Sequence, residues 1–155
     1  MTAKRRVVIT GLGAVTPFGI GTDKFWNSLV EGKSGISTSE LIDVSKHVVK
    51  ISGEVKNFNP DEYLDPKEAK KMDRFMQFAM IAADEAIKDA KLEEVNDVDP
   101  YKIGVVVSSA AGGFRTFEGN HIRILEKGPN KCSPFTIPMM IVNMASGRIS
   151  MKYGF

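Results

Sequence analysis

Cysteine is nearly absent from this chain. Cys132 is the only one, so no intramolecular disulfide can form, and a reducing, cytoplasmic setting fits best. Histidine is almost as scarce. His47 and His121 are the two present, and neither stands at metal-ligand spacing from another His, a Cys or an acid, so no metal and no cofactor is expected. No stretch approaches the roughly 18 apolar residues of a membrane span, and no membrane is expected as a partner. The basic start, Lys4-Arg5-Arg6 before Val7-Val8-Ile9, has the look of a signal peptide, but Gly11, Gly13, Pro17 and Gly19 interrupt the apolar run and no small-residue cleavage site follows. Charge of one sign is also missing in bulk. Lys and Arg total 21 against 19 Asp and Glu, a formal net charge of +2. Nothing in that total asks for nucleic acid, and an electrostatic partner has to be sought in a local patch. There is no internal repeat, low-complexity tract or flexible linker.

What is there is enough chain for one domain, 155 residues of ordinary globular composition. The β-branched run from Arg6 to Thr10 predicts a buried strand. Thr22 or Asp23 caps an expected helix over 23–31, with Phe25, Trp26, Leu29 and Val30 on one face and Gly32 as its stop. Residues 33–46 read as loop and 48–55 as a strand. The clearest element is a helix from Pro66 to about Lys91, with Asp65 as N-cap and Glu68 as the capping-box acid. Its stripe of Met72, Phe75, Ala79, Ala82, Ala83, Ala86 and Ala90 is alanine-rich, so another element can approach closely. Ile103 to Val107 has the continuous apolar pattern of a central parallel strand covered on both faces. A helix over roughly 115–127, a Gly128-Pro129-Asn130 turn and an almost wholly apolar helix over 139–152 complete an α/β pattern.

Few motifs carry chemistry. Gly11-x-Gly13 after a strand invites a dinucleotide-binding reading, but Thr16 and Pro17 stand where a third glycine should open a helix. A tight strand-to-helix turn is the better reading. Ser108-Ser109-Ala110-Ala111-Gly112-Gly113 lacks the nucleophile elbow of a serine hydrolase and reads as a loop kept small so that something fits beside it. Cys132 follows Lys131, which favours a thiolate. Most lone cysteines are small buried hydrophobes, and that is the expectation. Lys67, Lys70, Lys71 and Arg74 stand at i, i+3, i+4 and i+7, one basic stripe along two helical turns. Such a stripe is either a solvated face or a dock for an acidic partner.

Four segments, in order, resemble the β-ketoacyl synthase (condensing enzyme) family, in particular its elongating bacterial type. They are Arg5 to Gly13 with Thr16-Pro17-Phe18-Gly19; Phe25-Trp26 to Gly32-Lys33-Ser34-Gly35-Ile36; Lys71-Met72-Asp73-Arg74-Phe75; and Ser133-Pro134-Phe135 to Asn143-Met144-Ala145 and on to Tyr153-Gly154. The resemblance covers essentially the whole chain. It implies a thiolase-like fold of layered α/β/α/β/α type, with residues 1–155 as an N-terminal synthase domain cut before the nucleophile segment. It also implies acyl transfer to a cysteine followed by decarboxylative condensation with malonyl on an acyl carrier protein, the expected partner, in a homodimer. The nucleophilic cysteine and both catalytic histidines are expected beyond Phe155. Cys132, His47 and His121 match none of them, so the fragment alone is expected to be inactive. Ala111 and Thr136 match positions lining the acyl pocket. Lys67, Lys70 and Lys71 match the surface on which relatives dock the carrier protein. Alternatives within the family are a non-catalytic chain-length partner and a carrier-binding module.

Overall fold

The computed structural model describes residues 5–95 and 98–155. In chain order its elements are β1 (Val15–Thr16), β2 (Gly19–Ile20), α1 (Thr22–Val30), β3 (Ile36–Thr38), β4 (Ile51–Gly53), α2 (Pro66–Ala69), α3 (Arg74–Asp89), α4 (Phe114–Lys127), α5 (Thr136–Met140) and α6 (Met144–Tyr153). The strands form two antiparallel pairs. Val15 faces Ile20 in the first, and Ser37 faces Ser52 in the second. β3 arises inside the stretch read as loop, and the strand expected over 48–55 is reduced to Ile51–Gly53.

The core lies between α3 and α6. Met72, Met76, Met80, Ala145 and Ile149 form it, with Met76 wholly enclosed. Unbranched methionines fill the irregular gap between helices that small Ala145 allows to come close. Burying one such side chain contributes about 1.5–3 kcal/mol. Asp84 ties the two helices at one end. The Tyr153 hydroxyl donates to its Oδ1 at 2.6 Å and the Lys152 ammonium reaches Oδ2 at 2.6 Å. Burial first, and then this carboxylate, push the Tyr153 hydroxyl well above its ordinary pKa.

The alanine stripe of α3 does what its composition allows. A Cβ on Gly13 would sit 1.8 Å from the Ala82 carbonyl oxygen, and one on Gly11 2.2 Å from that of Ala86. The glycines are therefore contact points between the N-terminal segment and α3. The tight turn itself falls later, at Thr16–Gly19, where Gly19 has φ 121°. Acids one helical turn apart hold the docked backbone: Leu12 N–H donates to Asp89 Oδ2 and Ala14 N–H to Glu85 Oε2, both at 2.9 Å. Glu85 also accepts from the Thr22 N–H at 2.7 Å and hydroxyl at 2.9 Å. Thr22 is thus the first residue of α1 and Gly21 its cap, with neither Thr22 nor Asp23 in that role. Gly32 does end the helix, at φ 67°. The apolar face of α1 is uncovered, with Trp26 65% exposed.

Both longer strand expectations are corrected. Residues 6–10 pair with no strand among the described residues, and Val7 is 93% exposed. A strand is defined by a partner, and a β-branched run supplies only the propensity for one. Ile103 to Val107 likewise forms no ladder among the described residues. Its burial alternates: Val105 and Val107 lie on the helical core while Val106 is 91% exposed, so one face is covered and the other is open. Ser146 on α6 holds this segment, its hydroxyl accepting from Val107 N–H at 3.0 Å.

Both long helices are also broken. Ala69 ends α2, Lys71 and Met72 bond back three residues to Glu68 and Ala69, and Asp73, at φ −69° and ψ 160°, opens α3 afresh. The Gln77 amide donates to the carbonyls of Ala69, which also accepts from Met72 N–H, and Met72, at 3.0 and 3.3 Å. The helix expected over 139–152 is split into α5 and α6 at extended Ile141.

Candidate functional site

Asp65 caps α2 as its sequence position predicts, its Oδ1 accepting from the N–H groups of Lys67 at 2.8 Å and Glu68 at 3.1 Å. That fixes the short segment from which the lysines project. The break after Ala69 then scatters the expected stripe. Lys67 and Lys70 are exposed, and among the described residues neither pairs with a carboxylate within ion-pair distance. Lys71 is half-buried and engaged, its ammonium 2.7 Å from Glu68 Oε1. Glu68 also receives Arg148 from α6 at 3.0 Å. The Lys71 hydrogen bond foremost, helped by Arg148, lowers the Glu68 pKa. Arg74 leaves the stripe altogether. Its guanidinium lies against the edge-to-face pair of Phe58 and Phe78, 5.0 and 4.9 Å from their ring centres, and donates to the Val55 carbonyl. The basic surface is therefore two free ammoniums on a capped turn, with Lys71 compensated beside them. A cavity of about 440 Å³ lies alongside, lined by Leu64, Glu68, Met72, Met80, Arg148 and Met151 among others.

The second expected region is built from the 108–113 loop and α5. Gly113 N–H donates to the Met140 carbonyl at 2.9 Å. A Cβ on Gly112 would meet the Met140 carbonyl oxygen at 2.3 Å, and one on Gly113 that of Met139 at 2.2 Å. The loop is small because the chain's own α5 lies on it. It thus brings the loop bearing Ala111 against the helix bearing Thr136. The two side chains differ in setting: Ala111 is exposed, whereas Thr136 is buried and its hydroxyl donates to the Ser133 carbonyl at 2.7 Å. Phe135 and Ile137, flanking Thr136, are 51% and 57% exposed.

Cys132 is exposed, against the expectation of a buried small hydrophobe. It closes the Pro129–Lys131 turn, and the Asn120 amide donates to its sulfur at 3.3 Å. His121 is exposed on α4 and stacked on Phe117. Among the described residues no three His, Cys, Asp or Glu side chains gather in a way that would hold a metal. No helix of the described residues is long and apolar enough to cross a membrane.

One functional-looking feature escaped the sequence reading. Asp73 is buried at the start of α3, and its Oδ2 accepts from both the N–H and the hydroxyl of Thr116 on α4, at 2.8 and 2.5 Å. This bond spans 43 residues, so no local motif announces it.

The described chain is thus mixed α/β, with a lysine-bearing capped turn and a glycine loop seated on a short helix. The thiolase-like fold implied by the sequence is the one seen. Its solved likenesses include a type II polyketide ketosynthase described in complex with its acyl-carrier protein (TM-score 0.79, 23% identity, 99% of this chain and 41% of that one) and the ishigamide ketosynthase/chain length factor (TM-score 0.77, 24% identity, 96% and 37%). Residues 4–155 match the model of the β-ketoacyl synthase N-terminal domain, and the chain belongs to that family. Among curated relatives, the 3-oxoacyl-[acyl-carrier-protein] synthase 2 of Synechocystis is 46% identical over 97% of this chain and 36% of its own length. That of Staphylococcus aureus N315 is 44% identical over 99% and 37%. The chain thus spans little more than a third of the length of these relatives.

Proposed function

We propose that this chain supplies the carrier-protein docking face and part of the acyl-pocket wall of a 3-oxoacyl-[acyl-carrier-protein] synthase of fatty acid biosynthesis. In that reaction a cysteine thiolate attacks an acyl thioester and releases the carrier thiol. Malonyl-carrier protein then loses carbon dioxide, and its carbanion attacks the acyl-cysteine, expelling the thiolate; this is covalent catalysis with oxyanion stabilisation. None of those reacting groups is assigned to this chain. Cys132 is 20 residues before Lys152-Tyr153-Gly154-Phe155, the segment that the nucleophile follows in the family resemblance, and among the described residues no histidine or other base hydrogen-bonds to it.

The observation that carries the docking part is the free pair Lys67 and Lys70 on the Asp65-capped turn. Exposed ammoniums without local partners attract an acidic surface at low cost, because no internal ion pair has to be broken first. Ala111 and Thr136 are placed in the acyl pocket by the resemblance, and the meeting of their two elements supports that role. The two synthases at 44–46% identity favour the synthase reading over a chain-length partner. A cytoplasmic homodimer completes the proposal. Phe114 and Phe117 on α4, with Phe135 and Ile137, offer exposed apolar surface for a second copy. Carrier-protein titration of wild type and of Lys67→Glu/Lys70→Glu at low salt tests the docking face. Equal affinity would remove it.

A further inference from the structure

A second basic feature lies apart from the lysine turn. A cleft of about 370 Å³ opens between the starts of α3 and α4, and its walls include Phe58, Asp73, Arg74, Arg115 and Thr116. Two guanidinium groups share it. Arg74 is held in place by the edge-to-face pair of Phe58 and Phe78, over which its guanidinium lies, and by the Val55 carbonyl. Arg115 comes from the first turn of α4 and is exposed. Among the described residues neither has a carboxylate within ion-pair distance.

The nearby acids, Asp73 in the cleft wall among them, already accept hydrogen bonds. Asp73 spends its Oδ2 on Thr116, so it already occupies the N-terminus of α4. Glu54 accepts from the hydroxyls of Ser39 and Ser52 and from the Glu40 N–H. Burial, and after it the charge of Arg115, lower the pKa of Arg74, with Glu54 only opposing in part. Two like charges facing one polar cleft are a standing cost that a bound anion relieves.

We propose that the Arg74–Arg115 cleft is a binding site for a compact oxyanion of the phosphate class. Planar guanidinium forks match phosphate oxygens in pairs, and one fork here is positioned before any ligand arrives. This site is independent of the carrier-docking surface and uses neither Lys67 nor Lys70.

The test is calorimetric titration of the full chain with inorganic phosphate, at an ionic strength held constant with chloride. One saturable site is expected, weakened about tenfold or more by Arg115→Gln. Arg115→Lys should fall between the two, since a point charge replaces a fork. Glycerol 3-phosphate as a second titrant separates the sources. Binding equal to that of phosphate assigns the site to an esterified phosphate, and weaker binding assigns it to the free ion. Absence of saturable binding, or an affinity untouched by Arg115→Gln, overturns the proposal. Arg115 is exposed, so its variants leave the packing of α4 in place.

Discussion

Asp73 and Thr116 join the starts of two helices 43 residues apart, through a carboxylate oxygen that takes both the backbone and the hydroxyl proton of the threonine. Asp73 is buried, and without it the Thr116 N–H and hydroxyl would lose their partner together. Asp73→Ala should therefore destabilise by about 1–3 kcal/mol. Thr116→Val, which keeps the N–H, should cost less. Denaturant unfolding of both single variants and the double checks this, and full additivity would show that the bond is not the coupling.

The approach of the N-terminal segment to α3 gives a steric prediction. Gly13→Ala places a methyl group where Ala82 has its carbonyl oxygen, and neither is a flexible side chain that can swing away. A loss of about 2 kcal/mol or more is expected in thermal or denaturant unfolding. Gly147→Ala is the control, because a Cβ there meets nothing within 4 Å and a helical alanine is favoured over glycine.

Acid should loosen two places. At Glu85 burial alone would raise the carboxyl pKa, but hydrogen bonds from the Thr22 N–H, the Ala14 N–H and the Thr22 hydroxyl outweigh it and the net shift is downward. Glu54 is lowered to about 2, chiefly by the Ser39 hydroxyl and the Glu40 N–H. Both folded values lie below the unfolded ones. Each group's contribution is thus fully present above about pH 4.3, the ordinary glutamate value, and fades as pH falls through the folded value. Melting temperature against pH should drop less steeply below that point for Glu85→Gln and Glu54→Gln than for wild type. Parallel curves would contradict the assignment.

The acyl-pocket placement predicts a change in product length. In the proposed pocket role, the small Ala111 side chain leaves room for a longer or branched chain. In the protein bearing the complete site, Ala111→Phe should shorten the acyl chains accepted, read from the product profile. An unchanged profile would remove Ala111 from the pocket wall.

Local chemistry was legible in the sequence, and long-range pairing was not. Asp65 at the start of α2, Gly32 at the end of α1 and the span of α4 follow from signals within a turn or two, and the structure places them there. The break between α2 and α3 was hidden because Asp73, the residue that restarts the helix, gives its carboxylate to α4 and makes no side-chain bond to its own first turn. The apolar period of Met72 and Met76 continues across the break, since both still face Ile149 and Ala145. The residues 6–10 and 103–107 have strand composition, yet pairing is a relation between distant segments that composition cannot state. Of the basic residues, Lys67 and Lys70 remain a surface, while Phe58 and Phe78 draw Arg74 inward and into the company of Arg115.

Native mass spectrometry of the chain mixed with acyl-loaded carrier protein at low salt reads the docking face and the nucleophile together. The expected result is a non-covalent complex that disappears in Lys67→Glu/Lys70→Glu, and a 17.0 kDa chain that carries no acyl increment. A complex that survives the double charge reversal, or an acyl increment mapping to Cys132, would contradict it.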